Sequence, residues 1–111
     1  VVNILAIIFH RKENIMNGYE LTVILRINEN LDATKENITK ILQKNGVESK
    51  SVNEWGRKKM AYIIDRAEDG FYIIYTIDAS PDVIKNIIAE FRLLNDILRF
   101  LFVRLDEVKT A

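Results

Sequence analysis

Trp55-Gly56-Arg57-Lys58-Lys59-Met60-Ala61-Tyr62-Ile63-Ile64 is the stretch on which the fold of this 111-residue chain turns. It opens with an aromatic residue, a glycine and three adjacent cations, then runs into five apolar or nearly apolar positions. Just ahead of it, Val47, Ser49 and Ser51 alternate with Glu48, Lys50 and Val52, a polar pattern that suits a strand at a sheet edge. An isolated glycine within a strand pattern marks a bulge, so Val47 to Ile64 reads as one long strand with a defect at Gly56. Met60 to Ile64 then reads as the half that enters the core. Arg66-Ala67-Glu68-Asp69-Gly70 supplies the turn that closes a hairpin. Phe71 to Ile77 follows as a third strand, apolar on both faces and therefore central.

The three cations have two readings. Charges on an edge strand discourage edge-to-edge aggregation, and lysine is a usual choice for it. A basic run entering a sheet also forms a surface held rigid for an anionic partner.

Outward from the hairpin lie two helical patterns. Leu31, Ile38, Ile41 and Leu42 share one face, with Lys35, Glu36, Lys40 and Lys44 outside it. Asp32 is the expected cap and Asn45-Gly46 the stop. On the other side, Ser80-Pro81-Asp82 places a capping hydroxyl, a proline pre-set for the first turn and an acid favoured by the helix dipole. Ile84, Ile87, Ile88 and Phe91 then recur at helical spacing, with Arg92 at the end.

Outermost are two more strands. Tyr19, Leu21, Val23, Leu25 and Ile27 alternate with Glu20, Thr22, Ile24 and Arg26. Ile97 to Leu105 carries Arg99 and Arg104 among Leu98, Phe100, Leu101, Phe102 and Val103. The order strand, helix, strand, strand, helix, strand predicts a ferredoxin-like α+β sandwich, a four-stranded antiparallel sheet with both helices on one face. The second sheet face is left open.

Length and composition set the bounds. One domain fits 111 residues, and 49% hydrophobic content with one Pro and four Gly argues against low complexity. The expected domain covers 16–106, with a polar tail at 107–111. Residues 1–15 begin apolar and turn charged before Met16; a short strand, a frayed extension and translation from upstream of a true start at Met16 are the alternatives, the last being favoured. The apolar run falls short of the roughly 18 residues that span a bilayer. Sixteen basic against sixteen acidic residues cancel, so attraction to nucleic acid has to come from a local patch.

Catalytic groups are scarce. Cysteine is absent, and the one histidine, His10, precedes the expected domain. The glycines at 18, 46, 56 and 70 stand alone and form no phosphate-cradling loop. Glu68-Asp69 and Asp106-Glu107 read as solvated charge in a turn and a tail. An enzyme with a cofactor, metal or small-molecule substrate is not expected. Tyr72 with Phe100 or Phe102 either stacks bases on the open sheet face or packs in the core or against a protein partner.

These residues together resemble the bacterial small-subunit ribosomal protein six family. The resemblance rests on Tyr19-Glu20, on Trp55-Gly56-Arg57-Lys58-Lys59-Met60-Ala61-Tyr62, on Ser80-Pro81, and on Phe91-Arg92 followed by Ile97-Leu98-Arg99. It runs from Met16 to Asp106. Asn17-Gly18 departs from the family's basic residue before the Tyr-Glu pair. The resemblance implies a non-enzymatic constituent of the cytoplasmic ribosome that binds the central domain of small-subunit rRNA together with small-subunit protein eighteen. It further implies Arg57, Lys58, Lys59, Arg92, Arg99 and Arg104 as rRNA contacts; Trp55, Tyr72, Phe100 and Phe102, as large aromatic residues, are the expected partner contacts. The alternative is a regulatory or dimerising ferredoxin-like module that uses its open sheet face.

Overall fold

In a computed structural model, residues 16–105 are described; the expectations for the leader at 1–15 and the tail at 107–111 lie outside them. The elements are β1 (Asn17–Leu25), α1 (Leu31–Lys44), β2 (Ser49–Ile64), β3 (Ala67–Ala79), α2 (Pro81–Phe91) and β4 (Ile97–Leu105). They form one four-stranded antiparallel sheet in the order β2-β3-β1-β4, the predicted ferredoxin-like arrangement.

Alternation in the two central strands decides the layers. Tyr19, Leu21, Val23 and Leu25 of β1 and Ile73, Tyr75, Ile77 and Ala79 of β3 are buried together with Ile38 and Leu42 of α1 and Ile87 and Phe91 of α2. Each fully buried large aliphatic side chain stabilises the fold by about 1.5–3 kcal/mol, so this single layer is where stability resides. The intervening residues, Glu20, Thr22 and Ile24 on β1 and Tyr72, Ile74 and Thr76 on β3, form the helix-free face and are half-buried.

Several boundaries differ from expectation, for local reasons. β1 starts earlier and ends at Leu25, because Asn17 and Gly18 pair with Ala79 and Asp78 while the Arg26 amide turns away to donate to the Asp96 carbonyl at 2.8 Å. Asn30, not Asp32, is the cap of α1, and its side chain caps nothing; Asp32 lies in the first turn. The Asn28 side chain instead accepts from the Asn30 amide at 2.9 Å and shapes the entry. Asn45 and Gly46, the latter with φ +76, do end α1. Ser80 caps α2 as expected, its hydroxyl accepting from the Val83 amide.

The hairpin turn is tighter than predicted. Asp65 and Arg66, with φ 51 and 68, make the reversal, and Ala67 to Gly70 already belong to β3. The right-handed twist of paired strands favours turns with two such left-handed residues.

β2 keeps to the sheet edge, as its polar half suggested, but its apolar half does not enter the core. Only Met60 is buried there; Tyr62 and Ile63 are 60% and 63% exposed. Pairing passes from Lys59↔Asp69 directly to Ile64↔Ala67, so Met60 to Ile63 bulge out opposite Glu68. An apolar run lacks the parity that would tell an inward strand from an arch.

Candidate nucleic-acid and partner interface

The basic block is organised by the bulge at Gly56. Register passes from Glu54↔Ile73 to Gly56↔Tyr72, so Trp55 and Gly56 together oppose Tyr72. Gly56 has φ +83, a left-handed conformation that glycine adopts without the Cβ penalty. Beyond it Arg57 pairs with Phe71, Lys58 with Gly70 and Lys59 with Asp69. Alternation therefore sends Arg57 and Lys59 to one side of the sheet and Lys58 to the other, so the three cations do not form one continuous row. All three remain exposed.

Their electrostatic states differ. Arg57 donates through Nε and Nη2 to one carboxylate oxygen of Asp69, both at 2.9 Å. Lys58 places its ammonium 5.6 Å from the centre of the Trp55 ring. Among the described residues, neither Lys58 nor Lys59 has an ion-pair partner. Arg57 is held in place by Asp69, while the ammonium groups of the two lysines are not fixed by a carboxylate among the described residues.

Arg99 aligns with this region across the open face. One row crosses the sheet from Arg99 on β4 through Ile24 and Tyr72 to Gly56 on β2. Three strand spacings put its ends roughly 14 Å apart. The arch of β2 overhangs part of that row and makes a concavity of about 400 Å³. Thr22, Ile24 and Tyr72 form its floor, and Met60, Tyr62 and Arg99 are among its walls. Arg99 lies over the Tyr62 ring at 5.7 Å. Tyr62, Ile63, Leu101, Val103 and Leu105 add exposed apolar surface.

The remaining expected residues separate from this site. Phe100 and Phe102 pack on the helix-covered face, their ring centres 5.5 and 6.3 Å from Phe91, because they pair with Val23 and Leu21 of the core layer. Of the two readings, base stacking on the open face and packing in the core, these two rings take the second. Tyr72 is on that face and Trp55 is 51% exposed at its edge. Arg92 caps the C-terminal end of α2, where the preceding Phe91 packs on Phe100 and Phe102 and Glu90 accepts from Lys44 and Asn45 at the end of α1. Arg104 pairs with Tyr19 at the opposite end of the sheet, on the helix side, and does not join the cluster.

Sequence reading missed Tyr62 and Leu101 as surface residues and gave Ile24, set opposite the core face by its parity, no role. It also missed Arg26 and Arg66, which line a concavity with Arg57 at the hairpin tip. The parity of Ile24 in β1 was a usable signal; no sequence signal foretold the arch or the turn position. No group of residues suited to hold a metal ion occurs among the described residues. No helix among them is long and apolar enough to cross a membrane.

A family model described as ribosomal protein S6 matches residues 18–104. The chain belongs to the ribosomal protein S6 family. A small ribosomal subunit protein bS6 from Dehalococcoides mccartyi is 34% identical over 87% of this chain and 91% of its own length. That of Synechocystis is 35% identical over 86% of this chain and 87% of its own length. The crystal structure of ribosomal protein S6 from Thermotoga maritima superposes with a TM-score of 0.75 over 82% of this chain and 89% of that one. At 21% identity this last likeness speaks for the fold. The relatives are named as ribosomal proteins, a structural family, in keeping with the reading of this chain as no enzyme.

Proposed function

We propose that this chain, a constituent of the small subunit of the cytoplasmic ribosome, binds the central domain of small-subunit rRNA together with small-subunit protein eighteen. Membership of the ribosomal protein S6 family supports the ribosomal role. The division of labour rests on one observation: the bulge sends Arg57 and Lys59 to one side of β2 and leaves Trp55 and Lys58 with the open face. Arg57 and Lys59 take RNA phosphates, and Arg92, at the end of α2, makes any RNA contact separately. Such contacts fix position and register and read no sequence. Trp55, Tyr62 and Tyr72 face the protein partner, where large aromatic side chains beside apolar surface carry most of the binding energy. Arg99, seated over Tyr62, meets an acidic group of that partner. Arg104, at the far end, makes any RNA contact separately.

Binding of a central-domain RNA fragment, with protein eighteen present, over a salt series tests this reading. Replacing Arg57 and Lys59 by Ala is expected to flatten the log–log salt slope by about 0.7–0.9 per lost phosphate contact. An unchanged slope and affinity refute the site. The competing reading, a dimerising module without RNA, predicts a concentration-dependent homodimer that polar substitution of Tyr62 and Tyr72 abolishes.

A further inference from the structure

The concavity at the tip of the β2–β3 hairpin is lined by three arginines from three different segments: Arg57 of β2, Arg66 of the turn and Arg26 just beyond β1. It measures about 540 Å³ and also has Glu68 and Asp69 on its wall. Resting on the RNA-binding reading above, we propose that this arginine cleft seats one backbone phosphate of the RNA, with Arg66 as its principal unpaired donor.

Two of the guanidinium groups are held in position from behind. Arg26 donates through Nη2 to the Asp65 carboxylate at 2.6 Å and to the Asp65 carbonyl at 3.3 Å, and its Nε lies 3.9 Å from Asp96. Arg57 gives Nε and Nη2 to Asp69. Each guanidinium carries five N–H donors, so both retain donors that their carboxylates do not use. A planar fork held by a carboxylate at one edge presents its other edge at low entropic cost, the arrangement suited to phosphate. Arg66 is exposed and has no ion-pair partner among the described residues. The lining carries three positive and two negative charges, and Asp69 is already engaged.

The turn itself points to the same residue. Asp65 and Arg66 occupy two successive left-handed positions, where Asn-Gly or Asp-Gly is the ordinary choice. Asp tolerates that conformation, but a long side chain in the second position is strained. Backbone strain of this kind is characteristic of functional sites. Here it places a cation where glycine would otherwise close the hairpin more comfortably.

The strain makes the test decisive, because Arg66→Gly separates folding from binding. With the full chain, protein eighteen and a central-domain rRNA fragment, Arg66→Gly is expected to leave Tm unchanged or raised. The same change is expected to weaken binding several-fold and to lower the salt slope by about 0.7–0.9. Arg66→Gln keeps a side chain of similar reach without the charge, and the same loss of slope is expected from it. Lys85→Ala, on the exposed face of α2, is expected to change neither. An unchanged slope in both Arg66 variants overturns the cleft. If Arg57 and Lys59 substitutions flatten the slope while the Arg66 variants do not, the cleft alone is refuted; if none of them does, the RNA-binding reading falls with it.

Discussion

Tyr75, 4% exposed beneath α1, illustrates how a single side chain reports on the core. Burial pushes its phenol up to about 12, and the negative charge of Glu54 adds to the effect. A raised folded-state pKa means that stability is intact below about 10, the value of an unfolded tyrosine. Above that pH the unfolded chain releases its proton first, so stability falls until the folded phenol ionises near 12. The loss across that window is expected to be roughly 2–3 kcal/mol. Urea midpoints at pH 9 and pH 11.5 check it, and Tyr75→Phe is expected to remove most of the difference. Glu90 behaves oppositely. Hydrogen bonds from Asn45 and then Lys44 lower its pKa, so what it contributes is lost as pH falls. Arg57 and Asp69 are different again: an exposed pair of this kind is worth about 1 kcal/mol or less, so a phosphate can replace or share the carboxylate at small cost.

At the scale of elements, β2 and β3 are governed by two glycines with different duties. A methyl at Gly56 would meet no atom within 4 Å, so Gly56→Ala is disfavoured only through its φ of +83. The expected loss is about 1–2 kcal/mol. A methyl at Gly70 would overlap Cγ2 of Ile24, a branched side chain with little freedom to step aside. Gly70→Ala is therefore expected to cost about 1–3 kcal/mol and to disturb the open face. Denaturant midpoints of the two variants, with RNA affinity measured alongside, separate the bulge from the packing contact. What the sequence disclosed about these elements follows from parity and punctuation. Strict alternation exposed the layers of β1, and Ser80-Pro81 exposed the start of α2, because both signals are local. Leu98 to Val103 and Met60 to Ile64 are nearly continuous apolar runs with no parity. The face taken by Phe100 and Phe102 and the arch at Tyr62 were consequently settled by pairing partners far along the chain.

At the scale of the whole molecule, sixteen cations balance sixteen acids, so no global field draws the protein to RNA. The site residues were legible as a composition, one aromatic and three cations around a glycine, but not as a surface. Alternation divides the cations between two sides of the sheet, but the bulge that sets Trp55 beside Lys58, and the face each side presents, come from the folded register. On the proposed reading, a neutral protein with a small cationic end and an apolar open face gains RNA affinity when a second protein supplies further contacts. The most direct test is titration of a central-domain rRNA fragment with this chain, in the presence and absence of protein eighteen, at near-physiological salt. The account predicts tight binding only when both proteins are present, with Arg57→Ala/Lys59→Ala weakening that ternary complex. Equal affinity without the partner, or no binding with it, would contradict the account.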